Sequence, residues 1–136
     1  MKKTRFIFLI LCVCSLVLEA LPYGAVCRFA TPEETIIETF SYFSLVPYGY
    51  ANFGPFITAV LTCLLFIFAV ILFTSVGRKV IGTARIISII SVASSFLPLM
   101  SGIDCYNFVS LTISLLMIAQ FIVIMIISKR KGSKEE

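Results

Sequence analysis

Glu19 is the residue whose type and place most invite chemistry. It lies toward the far end of an apolar run that starts at Phe6. An acid inside a membrane span is a functional hypothesis by default, such as a proton or cation site. Pro22 follows three residues later, so an interfacial carboxylate bonded to Tyr23, Arg28 or water is the competing reading. Gln120 is the only amide within an apolar run, and an unpaired amide in hydrocarbon is costly. Gln120 and Ser88 each lie 16 residues from Asp104, the turn between their two runs, so they are expected at one depth. Gln120 should therefore meet Ser88 or Ser91, with self-association as the alternative.

Five cysteines are present. Cys12 and Cys14 form a C-x-C on a helix, which points their side chains roughly 200° apart, and with Cys63 they read as small packing residues. Thiol oxidoreductases need a reactive pair, usually C-x-x-C, and none occurs. Cys27 and Cys105 are the two cysteines that fall on the same outer side. They form either a disulfide across a 77-residue loop or a pair of separate thiols. The chain has no His, the commonest general base and metal ligand. No nucleophile–base pair, phosphate loop or cofactor fingerprint appears. The residues predict no catalytic, cofactor or metal site, and no enzyme.

These residues must be positioned by membrane helices. The chain has 136 residues, 60% hydrophobic and only 13% charged, with a mean hydropathy of +1.08. A soluble domain of this size leaves about a third of its chain area exposed and cannot hide so much apolar surface. Four stretches are near the roughly 20 residues that a bilayer requires. They run about 6–26, 55–76, 83–100 and 107–128, in a single domain. The first also has the basic start and apolar run of a signal peptide, but Leu18-Glu19-Ala20 is a poor cleavage site.

Ten of the eleven basic residues fall in the N-terminal tail, the segment between the second and third stretches, and the C-terminal tail. The positive-inside rule then puts both termini in the cytoplasm. Only Arg28 lies outside, with Glu33, Glu34, Glu38 and Asp104. The net charge of +4 is explained by this topology and gives no hint of nucleic acid. Serines and alanine at Ala84, Ser88, Ser91 and Ser95 make a small-residue packing seam, as do Thr58, Thr62 and Ala69.

All five Tyr and all five Pro fall on the outer side. An outer lid over 27–54 is therefore the structured part. Thr31-Pro32-Glu33-Glu34 has the form of a helix start with a capping box. Ile36, Phe40 and Phe43 follow at i, i+4, i+7. A short amphipathic helix ending near Ser44 is expected, packed on the outer ends of the spans. Tyr48, Tyr50 and Asn52 in the return loop are candidate recognition residues, against a plain loop with belt aromatics.

The stretch from Thr39 to Pro55 (TFSYFSLVPYGYANFGP), running into Thr58-Ala59-Val60-Leu61-Thr62-Cys63, resembles small, uncharacterised four-span membrane proteins of Clostridia-like Firmicutes. The resemblance covers roughly a fifth of the chain. It implies a bacterial plasma membrane and no particular activity. Small multidrug transporters are similar in having four spans and an acid in the first, but their other motifs are missing here.

The expected fold is all-α: four transmembrane helices with a short amphipathic outer helix. The expected function is that of a non-enzymatic multi-pass protein of the cell membrane. It would lie in the bilayer and act through its outer face on another membrane or envelope protein, or on itself. The alternative is a small transporter, or a subunit of one, with Glu19 as its ion-coupling acid.

Overall fold

The computed structural model describes residues 2–30, 35–45, 53–100, 102–103 and 106–132. Its elements run α1 (Lys2–Ala20), β1 (Ala25–Ala30), β2 (Thr35–Phe40), α2 (Gly54–Ile71), α3 (Gly77–Ser95), α4 (Leu97–Met100) and α5 (Phe108–Gly132). The four long helices form a closed ring of contacts: α1 packs on α2 and α5, and α3 packs on the same two. Hydrogen bonds fix the ends. Arg5 Nη1 donates to Leu72 O at 2.7 Å and Arg130 Nη1 to Thr4 Oγ1 at 3.3 Å, which joins the basic ends of α1, α2 and α5. At the other end Ser110 Oγ donates to Gly24 O at 2.7 Å.

Three helical stretches, Gly54–Ile71, Gly77–Met100 and Phe108–Arg130, are long and apolar enough to cross a membrane. α1 has 19 residues but carries Lys2, Lys3 and Arg5 at one end and Glu19 at the other. Its apolar middle is thus shorter than that of its neighbours.

Several boundaries differ from the sequence expectation. α2 stops at Ile71, and residues 72–76 turn. α3 begins at Gly77, so Arg78, Lys79 and Arg85 are helical rather than in a loop. Gly77 permits this early start: a Cβ there would lie 2.7 Å from Leu72 Cα, and the absence of one lets the two helices fold back tightly. α3 breaks at Phe96, where Pro98 has no N–H to donate to Ser94 O and its ring crowds that carbonyl. Gly102, at φ +136°, lies in the region that favours glycine.

The largest correction is at the hairpin end. Residues 35–40 are a strand, not a helix, and Ala25 and Val26 begin a strand rather than ending the first helix. β1 and β2 pair antiparallel in the register Ala25↔Phe40 to Ala30↔Thr35. The β-branched and aromatic run Thr35-Ile36-Ile37-Glu38-Thr39-Phe40 suits a pleated surface, and the pairing with Ala25–Ala30 overrides the weaker 3.6-residue spacing. Thr31–Glu34, read as a capping box, lie outside the described residues.

The interior divides by depth. Toward the basic end, Phe8, Cys12, Leu65, Ala69, Leu72, Ile81, Ala84, Ile124 and Ile127 form one apolar cluster. Toward the hairpin end, Ala25, Tyr42, Ala59, Ile113 and Met117 form a second. The buried polar side chains are Ser15, Glu19, Thr58, Thr62, Ser88, Ser91, Ser94, Ser95, Ser110, Ser114 and Gln120. Along each helix they lie level with the second cluster or between the two. Among the described residues, the basic-end cluster is thus apolar and the fully buried polar side chains lie from the middle of the bundle to the hairpin end.

Candidate functional site

Glu19 is fully buried and faces the bundle interior. Thr62, its partner on α2, lies eight residues, or about 12 Å of helix, below the start of α2 at Gly54. α1 ends one residue after Glu19, and the space above is filled by the hairpin instead of by more helix. The carboxyl therefore sits deeper than its sequence distance from Pro22 suggests. Tyr23 is exposed and is not its partner; the Arg28 side chain lies outside the described residues.

Thr62 Oγ1 stands 2.8 Å from Glu19 Oε1 and 2.9 Å from Thr58 O. A hydroxyl has one proton to give. If Thr62 gives it to Thr58 O, the chain closes only when Glu19 supplies a proton to Thr62. Glu19 Oε2 has no hydrogen-bond partner among the described residues. Next along, Thr58 Oγ1 lies 3.1 Å from Ser94 Oγ, which donates to Ser91 O at 3.0 Å. Thr58 Oγ1 itself donates to Gly54 O at 2.8 Å, so α2 meets α1 through the Thr62 hydroxyl and α3 through the separate Thr58 hydroxyl.

The plug above Glu19 is held by backbone and by one ring. Tyr42 N donates to Glu19 O at 2.9 Å, which ties the segment after β2 to the end of α1. The Tyr42 ring is buried against Gly24, where a Cβ would stand 2.9 Å from two ring carbons. Asn107 Nδ2 donates to Tyr23 O, and Ser110 Oγ to Gly24 O. Beside them Tyr106 donates to Ser114 Oγ at 2.6 Å, and Ser114 Oγ to Ser95 O at 3.2 Å. The plug is thereby fastened to α1 and α5.

Tyr42 Oη has no hydrogen-bond partner among the described residues, and burial pushes its phenol up to about 12. The folded state thus holds the neutral phenol more firmly than the unfolded chain does. The stability this contributes is present below about pH 10 and is lost as pH rises toward 12. Melting in detergent should show that alkaline loss, on the order of 2–3 kcal/mol. Tyr42→Phe should reduce that loss and leave stability near neutral pH unchanged or slightly raised, because it removes a buried hydroxyl with no partner among the described residues.

Gln120 is fully buried and faces the bundle, but its partners are on α1. Nε2 donates to Ser15 Oγ at 2.7 Å and to Leu11 O at 3.3 Å, while Cys12 Sγ lies 3.7 Å from Oε1. Ser88 Oγ has no partner among the described residues, and Ser91 Oγ bonds back to Ile87 O, so neither serves Gln120. Counting residues from Asp104 carries no azimuth, and α5 turns its amide toward α1 rather than α3.

Cys27 is buried at the base of β1. Cys105, Tyr48, Tyr50 and Asn52 lie outside the described residues, so the Cys27–Cys105 bridge and the return-loop surface are not seen. Thr62, Tyr42 and Gly24 were not anticipated as site residues. Thr62 was read only as part of a packing seam, a role it also fills: Thr58, Thr62 and Ala69 are all fully buried. No cluster of three potential metal ligands occurs among the described residues. No family model, curated protein or solved structure matches the chain.

Proposed function

We propose that this chain is a non-enzymatic, four-span protein of a bacterial plasma membrane that acts through its outer face, with α1 as the fourth span and both termini cytoplasmic. The carrying observation is the polarity of the interior. The fully buried polar side chains lie level with the hairpin-end cluster or between the two clusters, and the basic-end cluster is apolar. Function in such a bundle is built on one side. The hairpin offers the contact surface. Ile36 and Ile37 are adjacent, so they point to opposite faces of β2, yet they are 45% and 58% exposed. Glu38 and Thr39 are exposed as well. A two-stranded sheet with an uncovered edge is marginal alone and pairs readily with an added strand. The partner is another membrane or envelope protein or a second copy of the chain.

A photo-crosslinking residue at Ile37 should give one discrete protein adduct in native membranes. The same residue at Ile67, on the exposed side of α2, should give lipid adducts only. Equal patterns at the two positions, or no protein adduct at Ile37, would count against the reading.

A second reading is favoured by one specific observation. The buried Glu19 carboxyl, with Oε1 on the Thr62 hydroxyl and Oε2 without a partner among the described residues, suits an acid that takes up and releases a proton. A transporter or transporter subunit would use it as the coupling acid. Labelling by dicyclohexylcarbodiimide at Glu19, suppressed as pH rises, is the expected sign. An absence of labelling at every pH would remove this reading and leave the first intact.

A further inference from the structure

A groove of about 470 Å³ opens between α3 and α5 near the basic end, away from the hairpin. Its floor is apolar, with Phe121, Ile122 and Met125 from α5, and Arg85 and Lys129 bring two cations to it beside Ser128. Arg85 lies eight residues, or about 12 Å of helix, inside α3 from Gly77. The Arg85 side chain is exposed along the groove, where an anionic headgroup can meet its guanidinium. Arg5 and Arg130 find protein oxygens at Leu72 and Thr4. Arg85 and Lys129 have no such bond among the described residues. The acids among the described residues, Glu19 and Glu38, are both at the hairpin end. Any counter-charge in the groove therefore comes from another source.

We propose that this groove is a binding site for an anionic phospholipid of the basic-side leaflet. The phosphate lies between Arg85 and Lys129, and one acyl chain runs along Phe121, Ile122 and Met125. The combination of paired cations and an apolar floor selects a lipid over a free anion, because a soluble phosphate would leave the floor uncovered. The inference rests on the chain being embedded in the membrane and is independent of any outer-face partner.

Native mass spectrometry of the full chain, delipidated and titrated with phosphatidylglycerol or phosphatidylcholine, tests it. Phosphatidylglycerol should bind more tightly by tenfold or more. Arg85→Gln and Lys129→Gln should each weaken it about fivefold, while Arg85→Lys retains most of the preference and Lys3→Gln all of it. Phosphatidylcholine affinity should be unchanged throughout, which shows that the variants are folded. Equal affinity for the two lipids, or an unchanged preference in the Arg85→Gln/Lys129→Gln double variant, would overturn the proposal. So would full competition by glycerol 3-phosphate. Phosphatidylglycerol binding that appears only after Glu135→Gln/Glu136→Gln would overturn it too, by giving the groove to the chain's own acidic tail.

Discussion

Glu19→Lys should remove most of the folded protein from membranes, while Glu19→Gln should leave it folded. The position is fully enclosed, and its one described partner is the Thr62 hydroxyl. A glutamine keeps a hydrogen bond to Thr62 and brings no charge. A lysine puts a cation among Met117, Thr62 and the Tyr42 plug, with no carboxylate among the described residues to meet it. Leaving a buried charge uncompensated costs about 3–5 kcal/mol, a large part of the roughly 5–15 kcal/mol that holds an ordinary domain together. Protease resistance in isolated membranes separates the two variants. Equal resistance would mean that Glu19 reaches water, contrary to the packing described above.

Gly77→Ala carries the second large effect, and a paired variant gives it meaning. In an exposed helix, replacing Gly by Ala gains about 0.5–1 kcal/mol. Gly82→Ala should show that gain, since a Cβ there meets nothing within 4 Å. At Gly77 the new carbon would stand 2.7 Å from Leu72 Cα, 2.8 Å from Leu72 O and 2.9 Å from Ile71 O. These are backbone atoms, which cannot rotate aside. The turn must open, and with it the Arg5–Leu72 bond. A loss of about 1–3 kcal/mol or more is expected. Melting curves in one detergent should move in opposite directions for the two variants. A shift in the same direction would mean that the α2–α3 turn is looser than described.

The three long apolar helices are legible in the sequence because 20-residue apolar runs report on the solvent around them. The buried face of each helix was legible too, since Thr58, Thr62, Ser88, Ser91 and Ser95 do face inward. What misled was local. Thr31-Pro32-Glu33-Glu34 reads as a helix start, and Ile36, Phe40 and Phe43 repeat near a helical spacing. The strand at Thr35–Phe40 exists because Ala25–Ala30 lies alongside to pair with it. No single-segment signal announces a partner 15 residues away in sequence. The depth of Glu19 was hidden for the same reason. It depends on α1 ending early and on the hairpin filling the space above, both tertiary facts.

In the proposed topology the hairpin is outside, both tails are inside, and α1 is a retained span that carries Glu19 into the bundle. Single cysteines introduced into a cysteine-free variant, and treated with a membrane-impermeant maleimide on intact cells, test it most directly. Ile37→Cys should be labelled at once. Lys3→Cys and Lys131→Cys should be labelled only after the cells are opened, with the N-terminal segment still attached to the chain. Labelling of either tail from outside, or no labelling of Ile37→Cys, would contradict the account.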